Sequence, residues 1–179
     1  RGERVAYKGE YYELPRPGSE GKALKTSAPP MQFPIYLATL SPKSLELTGE
    51  IADGWIGTSF MPEHADVFFD HMRRGAEKAG RTLADLDIQA AAGVVAFGDD
   101  VEKLVAPRRA GLAFTLGAMG SRQHNFYNAA YRRAGYADEA VAVQKLWLDG
   151  KREEAAALVP DEMVLQTNLI GTEAMVRER

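Results

Sequence analysis

The 179-residue chain contains no cysteine, which excludes disulfides, thiolate metal ligands and cysteine nucleophiles. That composition is compatible with a reducing cytoplasm, the expected location. Lys and Arg number 22 against 25 Asp and Glu, a formal net charge of −3. Without a basic excess, nucleic-acid binding through phosphate neutralisation has no compositional support. No apolar run approaches the ~20 residues of a membrane-spanning helix, so no membrane partner is expected. Arg1-Gly2-Glu3-Arg4 leads into no hydrophobic signal region, so export is not expected either. The histidines, His64, His71 and His124, lack metal-ligand spacing. His64 and His71 are about two turns apart on one expected helix, too far for a joint pair, and no metal is expected. Neither a Ser-His-Asp order nor a carboxylate pair stands out, which leaves hydrolysis unsupported.

What is present is a 45% hydrophobic composition, enough for the core of a single domain. Val5 to Leu14 predicts a small hairpin around a Lys8-Gly9 turn signal. Residues 15–34 carry Pro15, Pro17, Gly18, Gly21, Pro29, Pro30 and Pro34 and predict an extended surface loop. Ile35 to Ala38 reads as a strand, and Ser41-Pro42 as a helix start, with a hydroxyl to cap free amides and a proline where no donor is needed. That helix runs to about Ala52. Asp53-Gly54 is read as the turn after it, and Trp55-Ile56-Gly57 as a strand whose Trp55 faces the core. Ala65, Phe68, Phe69, Met72, Ala76 and Ala79 recur at helical spacing from Pro62 onward, with Gly80 as a stop.

Ile88 to Phe97 is apolar almost throughout, as in a strand buried on both faces. A helix restarts after Gly98-Asp99-Asp100, is expected to kink or split at Pro107, and ends at Gly117-Ala118-Met119-Gly120. Helical pieces follow at 125–134, 138–149, 151–158 and 161–167, punctuated by Gly135, Gly150 and Pro160. Gly171-Thr172 caps a last helix beginning at Glu173. Strands at about 35–38, 55–58 and 88–97 alternating with helices imply an α/β fold with parallel crossovers, either an open doubly wound sheet or part of a barrel. The loop after the first strand lacks the Gly-x-Gly-x-x-Gly of a dinucleotide fold, and so few strands cannot close a barrel. Their unpaired edges make the chain read as incomplete.

Pro34-Ile35-Tyr36-Leu37-Ala38-Thr39-Leu40-Ser41-Pro42, followed by Gly49-Glu50-Ile51-Ala52-Asp53-Gly54-Trp55-Ile56-Gly57, resembles the luciferase-like monooxygenase superfamily. Lys78-Ala79-Gly80-Arg81, Gly117 to Arg122, Asn125 to Asn128, Gly135-Tyr136 and Val159 to Glu162 resemble its branch that uses the deazaflavin coenzyme F420 in place of flavin mononucleotide (FMN). The resemblance implies a partial (β/α)8 TIM barrel. This chain would be its C-terminal half, the fifth to seventh strands with a helical insertion, lacking the first half and the final strand. The expected division within one domain is a hairpin and loop over 1–34, strand-helix repeats over 35–98, a helical insertion over 99–170 and the start of the last helix over 171–179.

In such a fold the site lies at the carboxyl ends of the strands. The resemblance places the catalytic residues in the missing half and leaves the cofactor's phosphate tail to this one. Ala38, Thr39, Leu40 and Ser41 sit at a strand end and helix start, where small side chains admit a ligand and the helix favours an anion. Ser41 reads equally well as a plain N-cap; the resemblance favours cofactor contact. Ser44, one turn on, reads as helix surface. Gly57, Thr58 and Ser59 are implied to face the ligand, against a reading as ordinary turn residues. Ser121 and Arg122 form a flexible turn whose cation suits a phosphate or acidic tail, against a reading as a solvated arginine.

The function implied is an oxidoreductase moving a hydride between F420 and an unidentified organic substrate. One alternative is an FMN-dependent monooxygenase, and another, of a different class, is a non-catalytic α/β fragment or interaction module. The resemblance also implies a homodimer.

Overall fold

The structure, a computed structural model, describes residues 6–20, 29, 31–90 and 93–178. The chain divides after Pro34 into two units, Arg1–Pro34 and Ile35–Arg179. In the first, β1 (Tyr7–Lys8) pairs antiparallel with β2 (Glu13–Leu14), Tyr7 opposite Leu14. The Gly9 N–H closes the turn on the Tyr12 carbonyl at 2.8 Å, just past the Lys8-Gly9 signal. Val5 of the expected hairpin, and residues 21–28 and 30 of the expected loop, lie outside the described residues.

In the second unit, β3 (Tyr36–Leu37), β4 (Gly54–Gly57) and β5 (Asp87–Ala90) form a parallel sheet in that order. Leu37 lies opposite Trp55, and Trp55 opposite Ile88. Helix α1 (Pro42–Ile51) connects β3 to β4; α2 (Asp66–Lys78), entered through a 3₁₀ turn at Pro62–His64, connects β4 to β5. The expected helix from Pro62 is therefore two pieces. At the sheet's other end, Asp53 ties strand to strand: its carboxylate accepts from the Ile35 N–H at 2.7 Å, and its carbonyl accepts from the Asp87 N–H at 3.0 Å.

The two crossover helices touch backbone to backbone. A methyl group on Gly49 would lie 1.9 Å from the Met72 carbonyl oxygen, and one on Gly75 would lie 1.7 Å from that of Glu46. Two facing glycines permit this approach, and Leu45, Phe68, Met72 and Ala76 are fully buried around it. Trp55, also fully buried, packs on Phe68 with ring centroids 5.6 Å apart and on Phe60 at 6.0 Å.

The expected strand over 88–97 is instead two. After β5 the chain passes Ala91 and Ala92, which lie outside the described residues, and forms β6 (Val95–Phe97). β6 pairs parallel with β7 (Leu169–Gly171). The Gly93 N–H donates to the Thr167 carbonyl at 2.8 Å, and a methyl there would stand 2.8 Å from the Asn168 amide oxygen. This contact ties the chain before β6 to the segment before β7. Nor is the segment buried on both faces: Val95 is 57% and Phe97 62% exposed, while Ile88 and Ala96 pack on the core.

β7 itself was not expected; a three-residue strand between a helix end and Thr172 is too short to show periodicity. Helix α3 (Val101–Ala118) runs through Pro107 without splitting. Proline removes one donor and crowds the carbonyl four residues back, which belongs to exposed Lys103, while the Arg108 guanidinium donates to the Leu104 carbonyl. Buried Val105, Ala113, Leu116 and Gly117 hold the helix on either side of the interruption. α4 (Phe126–Arg133), α5 (Ala137–Leu148), α6 (Arg152–Ala157) and α7 (Asp161–Gln166) match the expected pieces, and α8 (Glu173–Glu178) follows β7. Arg109 on α3 ties to α7 by ion-pairing with Asp161, and also pairs with Glu102 at 2.9 Å.

Candidate functional site

Parallel pairing sets the carboxyl ends of β3 and β4 side by side, so Ala38–Ser41 and Gly57–Ser59 leave the sheet as neighbours. A direct bond fastens them: the Trp55 indole N–H donates to the Thr39 carbonyl at 3.0 Å. The Thr39 hydroxyl is held 2.7 Å from that of buried Thr48, which donates to the Ser44 carbonyl at 2.8 Å. The turn is thus fixed from below by the side chains of its own helix.

Ser41 caps α1, its Oγ accepting from the Ser44 N–H at 3.3 Å, and Pro42 occupies the first helical position. Ser41 Oγ also donates to Ser44 Oγ at 2.8 Å. The cap and ligand readings therefore combine: Ser44 accepts from Ser41, and its own hydroxyl proton has no acceptor among the described residues. Half-buried Ser44 joins the candidate site on this geometry, where spacing alone read it as surface. Ala38 is exposed, and Leu40 and Ser41 are half-buried. Pro42 has no N–H, so Lys43 supplies the first-turn amide whose acceptor would lie outside the helix.

Across the turn, Gly57 has a packing reason of its own, since a methyl there would lie 2.4 Å from the Trp55 ring. Thr58 is exposed. Ser59 adopts a left-handed conformation, φ 53°, uncommon for a residue other than glycine. The strained residue sits where the chain turns out of β4 toward Phe60.

Ser121 and Arg122 lie on the α3–α4 turn, both exposed, and no hydrogen bond or ion pair among the described residues joins them to the other two segments. Ser121 Oγ accepts from the His124 N–H at 3.0 Å. The cation that the fold delivers to the β3 turn is Arg133, whose Nη2 donates to the Leu40 carbonyl at 3.1 Å. Nothing in the sequence marks it, because the contact spans 93 residues. Its Nε is buried without an acceptor, and burial pulls the guanidinium below its ordinary value. Tyr136 sets its ring edge-on against His64, with centroids 5.8 Å apart. No group of metal-ligating side chains gathers among the described residues, and no helix among them is long and apolar enough to cross a membrane.

A free amide at a helix start and a hydroxyl relay form a donor set suited to an anion, such as the phosphate of a cofactor tail, with the Arg133 guanidinium behind them on the Leu40 carbonyl. Parallel strands joined by helices, with this turn beyond their carboxyl ends, define a parallel α/β protein. The chain belongs to the luciferase-like monooxygenase family, whose model matches residues 1–179.

It is 34% identical over 183 residues to Rv3520c of Mycobacterium tuberculosis, provisionally named a coenzyme F420-dependent oxidoreductase; the match takes in 98% of this chain and 52% of that protein. An F420-dependent glucose-6-phosphate dehydrogenase of Nakamurella multipartita is 40% identical over 88 residues, 48% of this chain and 24% of the relative. The chain thus spans about half the length of the first relative and a smaller part of the second. Among solved structures, the F420-dependent tetrahydromethanopterin reductase of Methanopyrus kandleri superposes with a TM-score of 0.67 at 23% identity, covering 99% of this chain and 48% of that one. That likeness establishes the α/β fold.

Proposed function

We propose that this chain is the cofactor-tail portion of an F420-dependent oxidoreductase, built as part of a (β/α)8 barrel. The observation that carries the reading is the β3–α1 turn, where Ser41 and Ser44 form a hydroxyl relay beside the first-turn amide of α1 and Thr39 is bonded to Trp55 of β4. Its support from outside is the cofactor in the name of a relative that matches 98% of this chain. F420 supplies a ring carbon that accepts or returns a hydride, two electrons and one proton together, while a second proton exchanges with the substrate or solvent. The residues here would bind the phosphate of its tail: Ser44 by its hydroxyl, which Ser41 orients by donating to it, Lys43 by amide, and Gly57 to Ser59 by the backbone beside it. Ala38, Thr39 and Leu40 shape the approach, Ala38 by presenting no bulk. Arg122 remains a candidate for the more distant acidic end of the tail.

Fluorescence titration with F420 and, separately, FMN tests this. Saturable binding of F420, with FMN weaker, is the expected result. Tighter binding of FMN would replace the reading with an FMN-dependent monooxygenase, and binding of neither by a folded chain would favour a non-catalytic module.

A further inference from the structure

The corner between α4 and α5 reaches the loops that leave both β3 and β4. Arg133, the last residue of α4, bonds the Leu40 carbonyl, and Tyr136, just before α5, packs on His64 beyond β4. A half-buried guanidinium is costly unless its protons are used. Here no described carboxylate pairs with it, and its Nε has no acceptor, so the bond to Leu40 is the interaction that fixes its place.

Peptide planarity gives that bond a consequence. The Leu40 carbonyl and the Ser41 N–H belong to one rigid plane and point in opposite directions. Gripping the oxygen from the α4 side aims the Ser41 N–H away from α4, and sets the direction from which the Ser41 and Ser44 hydroxyls leave the helix start.

We propose that Arg133 is a positioning residue for the anion-binding turn, holding the Leu40–Ser41 peptide plane through the Leu40 carbonyl without itself contacting the ligand. The proposal rests on the F420 reading for the identity of the ligand, and on the structure alone for the clamp. It makes the helical segment around α4 a determinant of cofactor affinity despite its distance in sequence.

The test compares the wild-type chain with Arg133→Met, which keeps the apolar stem and loses the donors, and Arg133→Lys, which keeps a charge and a donor. Amide hydrogen exchange is read over residues 41–45 without ligand, and F420 affinity is read at two salt concentrations. Arg133→Met is expected to exchange about tenfold faster there and to bind F420 about tenfold more weakly, with the salt dependence of the wild type. Arg133→Lys should recover part of both. Unchanged exchange over 41–45 in both variants overturns the proposal. So does a loss of affinity accompanied by a weaker salt dependence and unchanged exchange, which would make Arg133 a direct anion contact. Faster exchange in a chain that binds no F420 upholds the clamp and removes the cofactor reading instead.

Discussion

Tyr131 shows how a single side chain acquires properties its sequence neighbours do not foretell. It is fully buried, and its hydroxyl has only long contacts, 3.5 Å to the Met163 carbonyl and 3.5 Å to the Thr167 hydroxyl. Burial pushes the phenol up to about 12 from an ordinary 10.0, partly offset by Thr167. Because the folded state holds the proton more tightly than the unfolded chain, this group's contribution is intact below pH 10 and is lost as pH rises toward 12. The loss amounts to about 3 kcal/mol. Denaturant titrations between those limits should show stability falling with pH in the wild type and a shallower fall in Tyr131→Phe. Ser41 is a second residue-scale case, where cap and ligand roles coincide. Ser41→Ala should lower stability by about 1 kcal/mol, read from chemical denaturation, and also weaken F420 binding. A loss of stability with unchanged affinity would leave Ser41 as a cap alone. The capping role was legible from Ser41-Pro42; the relay to Ser44 was not, because it depends on two rotamers.

At the scale of elements, helix existence was legible and close contact was not. Apolar spacing and Gly80 located α2, and Gly135, Gly150 and Pro160 separated the later helices, because local propensity and stop signals act within a few residues. The α1–α2 crossing requires Gly49 and Gly75 for a reason that exists only when the helices meet. Gly49→Ala and Gly75→Ala should each cost about 3 kcal/mol or more, since the obstacle is backbone and cannot rotate away. Gly111, exposed within α3 with nothing within 4 Å of an added methyl, should behave oppositely. Gly111→Ala should stabilise by about 0.5–1 kcal/mol. Thermal unfolding of the three variants checks both signs. Pro107 illustrates the converse: its local chemistry argued for a kink or a split, and packing along the rest of α3 keeps the helix unsplit. The expected 88–97 strand failed for a related reason. Apolar content indicates strand propensity, but the neighbour with which each half pairs is a long-range fact, and β7 was too short to announce itself.

For the molecule as a whole, strand exposure is the leading physical consequence of its architecture. Ile56 at 45%, Val95 at 57% and Phe97 at 62% exposed, with Ile35 at 61% just before β3, place apolar side chains of the strands and of one strand entry in water. Exposed apolar strands promote association. Sedimentation of this 179-residue chain is expected to show concentration-dependent self-association, reduced in Val95→Lys combined with Phe97→Lys. A strictly monomeric wild type at all concentrations would refute this.

The sequence by itself determined the alternation of strand and helix, the β3–α1 turn with its cap, and membership of the luciferase-like family, because these depend on neighbouring residues and on motifs carried in order along the chain. Tertiary structure alone decided that Thr39 and Trp55 lock the two strand ends together, that two glycines let α1 and α2 touch, and that Arg133 rather than Arg122 reaches the turn. Each of these joins groups far apart in sequence, or fixes a distance of a few ångströms, and such distances are set only when the whole chain has packed.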